Sequence, residues 1–172
     1  LLSDDLFSFL ELTQLLKKAG ESGINSNEFK DLKTIYSGFD KYLSATTKSY
    51  VKYIFNAVVN GNTANQWWTG GGSSRVNLGD LYAGATQEHL NRLVGKWFEG
   101  SDLPLNKYKG DSARNIPDGN FIYGKSTGSL FVDGIDIRDI YQGKVGTCYL
   151  LAAAGSVARK SAESINKMFI DN

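Results

Sequence analysis

The 172 residues hold one cysteine, Cys148, and one histidine, His89. A single thiol cannot close an intrachain disulfide, so no disulfide framework holds the fold, and the cysteine count says nothing of redox compartment. Any imidazole chemistry within the chain falls on His89. Charge of one sign is also lacking: 19 Lys and Arg stand against 18 Asp and Glu, a net charge of +1. That balance offers no polybasic surface for nucleic acid or anionic lipid. No apolar run approaches the roughly 20 residues that a membrane-spanning helix requires. Leu1 stands where an initiator methionine would, and no signal-peptide pattern follows. The chain is therefore expected to have been cut. An exported protein whose signal is already gone fits, with a secreted or cell-surface location.

What is present suffices for a packed core. Hydrophobic residues make up 41%, and the length suits one domain or a domain plus a smaller one. Residues 4–60 read as helices. Leu6, Phe9, Leu10, Leu15, Leu16 and Ala19 give one apolar face that Gly20 ends. Asn25 with Glu28 forms a capping box for the next helix. Along it Phe29, Leu32, Tyr36, Phe39 and Leu43 recur at helical spacing. Val51, Ile54, Phe55 and Val58 mark a third helix, and three such helices with short links predict a small bundle. Glu21–Phe29 faintly echoes a calcium-binding helix–loop–helix. Taking Gly23 as the loop glycine, however, puts Lys18 and Gly20 at ligand positions and Glu28 one residue early, so the stretch is read as a turn.

Nineteen glycines exceed the dozen or so usual at this length. Gly70-Gly71-Gly72-Ser73-Ser74 has linker composition, interrupted upstream by Trp67-Trp68, which is expected to dock on a neighbour. Thr86–Glu99 returns to helix, stopped by Gly100. Asn120–Tyr123 and Ser129–Val132, flanking Gly124–Gly128, read as a β-hairpin. Gly124-Lys125-Ser126 lacks the upstream glycine of a phosphate loop.

The chemistry concentrates near Cys148. Gly143 and Gly146 permit a sharp turn before it, and the Leu- and Ala-rich run after it is strongly helix-forming. Cys148 is thus placed in the first turn of a buried helix, with Thr147 as the capping hydroxyl. Free N–H groups and the positive dipole end there favour an anion, hence thiolate over thiol. Gln142, six residues upstream, carries an amide able to donate to an oxyanion beside the Cys148 N–H. The alternative is an inert, buried cysteine acting as a small hydrophobe.

Asp139-Ile140, Gln142-Gly143, Gly146, Cys148, Leu150 and Ala152-Ala153 resemble the active-site segment of the calpain-like cysteine proteases. Thr147 departs from that family's usual acid and Tyr149 from its usual Trp. Asn77–Gly84 and Lys96–Pro104 look like the segment that precedes the core in bacterial members. The resemblance implies an α+β fold: a helical pro- or accessory region over residues 1–62, a glycine-rich loop plus helix connecting segment over 63–105, and from 106 to 172 the front, Cys-bearing and mainly helical part of a papain-like core. It implies a calcium-dependent endopeptidase, made as a zymogen, that acts on protein or peptide substrates. Cys148 would be the nucleophile and Gln142 an oxyanion donor. The catalytic His and Asn would lie beyond Asn172, in the remaining catalytic-domain polypeptide, which is then a second chain if processing separates them. His89 precedes the cysteine and is expected to be a solvated surface residue instead.

Val132–Asp139 carries three acids, Asp133, Asp136 and Asp139, and calcium takes six to eight oxygen ligands. The resemblance implies one calcium here, held by the carbonyls of Val132 and Gly134 and the carboxylate of Asp139. Without it, the acids are solvated turn residues, Asp139 bracing the loop near Arg138. A non-catalytic scaffold, prodomain or inhibitory module is the competing reading of the whole chain.

Overall fold

The computed structural model describes residues 7–43, 48–125, 127–129, 131–141 and 147–169. Among these the chain forms six helices and two small antiparallel sheets, an α+β arrangement. Its contacts divide it into two units, the first ending at Tyr123 and the second starting at Gly124.

In the first unit, α1 (Phe9–Ala19) starts at a capping box the sequence reading missed. Ser8 Oγ accepts the Glu11 N–H at 3.2 Å and Glu11 Oε2 accepts the Ser8 N–H at 2.9 Å. The expected box at α2 (Ser26–Gly38) is present: Asn25 Oδ1 accepts from Asn27 and Glu28 N–H, and Glu28 returns to the Asn25 N–H at 2.8 Å. The chain tightens into a 3-10 turn at Phe39–Lys41 before reaching α3 (Lys48–Val59). The turn between α1 and α2 is pinned rather than loose: Ile24 N–H donates to Ala85 O at 2.8 Å and Gly84 N–H to Ile24 O at 2.6 Å. Gly23 supports that crossing with φ +88, where an added Cβ would meet Ala85 O at 3.1 Å.

Where they fall on described residues the expected apolar stripes face inward, with one exchange: Leu12 is fully buried, whereas Leu10 is 59% exposed; Leu6 lies outside the described residues. Phe39 and Phe55 meet at 4.5 Å between ring centroids and are both fully buried; each such side chain contributes about 1.5–3 kcal/mol by leaving water. A fourth helix, α4 (Gln87–Trp97), joins this core through Leu90, Leu93 and Val94. It packs on α1 and α3, and α2 packs on α3.

The glycine-rich run is a folded hairpin, which corrects its reading as linker. β1 (Trp67–Trp68) pairs with β2 (Val76–Asn77), and Trp68 reaches α4, where Gly95 leaves room for its ring. Two polar residues fasten the surrounding loops. Asn65, fully buried, donates to Ala57 O and Asp80 Oδ1, each at 2.8 Å. Asp102 Oδ1 accepts from Thr69 N–H at 2.7 Å and Gly70 N–H at 2.8 Å, and its other oxygen pairs with Lys96.

The hairpin expected between Asn120–Tyr123 and Ser129–Val132 does not form among the described residues. β4 (Gly119–Asn120) pairs instead with β3 (Lys107–Tyr108). The upstream partner wins through side chains and backbone together: Phe121 lies 5.0 Å from the Tyr108 ring, its N–H donates to Asn106 O, and the Tyr123 hydroxyl donates to Pro104 O.

In the second unit, a 3-10 turn at Ile137–Asp139 precedes α5 (Cys148–Lys160). Ser161 ends α5 and caps α6 (Ala162–Asn166), which packs back on it. The expected extended stretch from Phe169 to Asn172 lies, after Phe169, outside the described residues.

Candidate active site

Cys148 is the first residue of α5 and is exposed. Its place in the opening turn is as the sequence predicts; the helix it opens is not buried. Tyr149 and Leu150 are 76% and 57% exposed, and Gly155 alone is buried along α5. α6 and the Ile137–Asp139 turn pack against this helix, and most of its other side chains are exposed. Thr147 occupies the N-cap position with φ −106 and ψ 17 and gives no side-chain cap hydrogen bond, which corrects its expected hydroxyl role. Gln142, Gly143 and Gly146 lie outside the described residues.

One concavity of about 380 Å³ opens beside the thiol, walled by Ile137 and Ile140 on one side and by Leu151, Gly155 and Ser156 down the helix on the other. Ile140 was quoted from sequence only as part of the resembling segment, and Ile137 and Gly155 were given no role. An isolated glycine inside an alanine-rich helix was the signal available, because it sacrifices helix propensity and so points to a packing reason.

The acidic segment forms a rigid turn next to that wall. Asp136 N–H donates to Asp139 Oδ2 at 2.9 Å, and Asp136 Oδ1 accepts from Arg138 N–H and Nε, each at 2.8 Å. The Arg138 guanidinium and N–H hold the Asp136 carboxyl below the ordinary carboxylate range. The loop is thus braced from within, Asp139 holding the Asp136 N–H and Arg138 engaging Asp136. Val132, Gly134 and Asp139 line a single cavity of about 420 Å³ with Asp133 and Asp136. Gly134 turns there with φ +101. Among the described residues no group of three or more His, Cys, Asp or Glu side chains is arranged to hold a metal. A site of two backbone carbonyls and one carboxylate needs no such group. The carboxylates and backbone carbonyls around this cavity are hard oxygens, the donor class that calcium takes.

His89 belongs to the first unit, on α4, and is half-buried, not solvated as expected. Its ring stands edge-on to Tyr82 at 5.4 Å, and Nε2 is buried without a hydrogen-bond partner among the described residues. No helix among the described residues is long and apolar enough to cross a membrane.

No curated protein and no solved structure matches the chain. Residues 122–172 match the family model described as calpain family cysteine protease, so this portion of the chain, with Cys148 and the acidic turn inside it, is similar to a segment of that family.

Proposed function

We propose that the second unit is the nucleophile-bearing front of a calcium-dependent cysteine endopeptidase. The observation that supports this most is the placement of Cys148: exposed, at the first position of a 13-residue helix, beside an open concavity. A helix mouth presents backbone N–H groups and the positive dipole end, which suit the negative charge that develops on oxygen during acyl transfer.

In the reaction, the Cys148 sulfur attacks the peptide carbonyl carbon, and the carbonyl π pair moves onto oxygen. The Cys148 N–H and the Gln142 amide donate to that oxyanion. Collapse re-forms the carbonyl and breaks the C–N bond. The departing amine takes a proton from an imidazole supplied outside these 172 residues. Water then hydrolyses the thioester and frees the thiol. Ile137 and Ile140 wall one side of the concavity in which the substrate carbonyl would meet the sulfur. Val132 O, Gly134 O and Asp139 would hold the calcium, whose charge would fix the acidic turn and draw the parts of a complete catalytic domain into register.

The test is alkylation of the full chain with iodoacetamide at neutral pH, read as modified mass against time beside a free thiol of ordinary pKa. Cys148 is expected to react faster. Equal or slower labelling sinks the protease reading and leaves the scaffold or inhibitory module. The exposure of Cys148 already weighs against that alternative in its buried-cysteine form.

A further inference from the structure

Gly155 is buried where Ile137 and Ile140 press on α5. A Cβ built there would lie 3.0 Å from Ile140 Cδ1 and 3.4 Å from Ile137 Cγ1. Those two isoleucines bracket Asp139 in sequence, and the turn between them is stiffened by the Asp136–Asp139 and Asp136–Arg138 hydrogen bonds. The same isoleucines wall the concavity onto which Cys148 opens. Gly155 follows Ala152-Ala153-Ala154, where a fourth alanine would favour the helix by roughly 1 kcal/mol. What the glycine supplies is approach: the acidic turn lies directly on the backbone of the helix that carries the thiol. Cys148 lies seven residues away along that helix, about 10 Å at 1.5 Å per residue.

We infer that Gly155 is a positioning residue. By having no side chain it seats Ile137 and Ile140, and so couples the Asp136–Asp139 turn mechanically to the Cys148 helix. This rests on the protease reading for its meaning, but the coupling is measurable without proteolysis. A larger side chain lifts the isoleucines off α5, after which the turn and the thiol no longer sense one another.

The experiment is a double-mutant cycle on the full chain with Asp139→Asn and Gly155→Val. Two readouts are taken: melting temperature, and the rate of Cys148 alkylation by iodoacetamide from pH 6 to 9. In the native background Asp139→Asn is expected to change the labelling rate about twofold or more, the scale of coupling between residues in contact. In the Gly155→Val background the same substitution is expected to leave the rate unchanged. Additive effects on the labelling profile overturn the inference, as does a Gly155→Val chain that melts lower with an unaltered profile. If Gly155→Val does not fold, Gly155→Ala takes its place together with Ile140→Val, which removes the Cδ1 atom nearest the glycine. That pair must restore the profile Gly155→Ala disturbs, and failure to restore it is equally fatal. Native Cys148 that labels no faster than a free thiol, with non-additive melting, removes the protease reading while the coupling stands.

Discussion

The indole N–H of Trp97 donates to Asn65 Oδ1 at 2.7 Å, and through that bond the end of α4 is tied to the loop that leaves α3. Asn65 spends its remaining donors on Ala57 O and on Asp80, which also accepts the Asn62 N–H at 3.0 Å. A fully buried amide with all its partners supplied is costly to remove, because each former partner is left dry and unpaired. Replacing Asn65 with Leu strands the Trp97 N–H and the Ala57 carbonyl. The expected loss is about 2–4 kcal/mol, measured as a lower urea midpoint with tryptophan emission as the probe.

Asp102 sets how the first unit responds to acid. Burial pushes its carboxyl up, but Lys96, the Gly70 and Thr69 N–H groups and the Thr69 hydroxyl outweigh that and hold it below the usual range. A carboxyl whose folded pKa is depressed adds stability that is present above its unfolded value, about 3.9, and is lost as pH falls through the folded value. The first unit is therefore expected to hold its melting temperature from pH 7 to about 5 and to lose it below about 4. Asp102→Asn should flatten that acid limb. It should also lower stability at pH 7 by about 3 kcal/mol, since Lys96 is left without its buried partner. Thermal melts across pH 2.5–7 on both proteins check the sign. A limb equally steep in the variant would assign it to other carboxylates.

Much of the first unit was legible because it obeys local rules. The Asn25–Glu28 box, the Phe29–Leu32–Phe39 stripe and the Val51–Val58 face are written in spacing alone. The glycine-rich run was not, since composition reports flexibility while the order of that run comes from distant partners: Asp102 accepting the Gly70 N–H and Trp68 resting against Gly95. The misplaced hairpin has the same origin. Alternation marked Asn120–Tyr123 as extended, but the choice of partner lay with Tyr108 and Asn106 upstream. At the candidate site, position in sequence located Cys148 at its helix mouth and Asp139 in the acidic turn. Exposure of α5 escaped the reading, because an apolar run looks the same whether or not something covers it. The Gly155–Ile140 contact escaped because two residues fifteen apart, in a turn and a helix, share no periodicity.

Calcium provides the prediction that separates a structural turn from a metal site. Ligand that binds only the folded chain stabilises it by RT ln(1 + [L]/Kd), about 2.7 kcal/mol at a hundredfold excess over Kd. In a unit this small that amounts to an upward shift on the order of 10 °C. The native chain is expected to show the shift with calcium and to lose it on chelation. Asp139→Ala should abolish it. The same substitution also removes the acceptor for the Asp136 N–H, so the metal-free variant should melt slightly lower than the native chain. The two effects are distinguishable because only one depends on calcium concentration. Asp133→Ala serves as the control: its carboxylate lines the same cavity without belonging to the proposed ligand set. If the calcium-dependent shift survives Asp139→Ala but falls with Asp133→Ala, the cation sits elsewhere in the turn. If neither variant alters it, the ion is held away from this segment and the Val132–Gly134–Asp139 site is withdrawn.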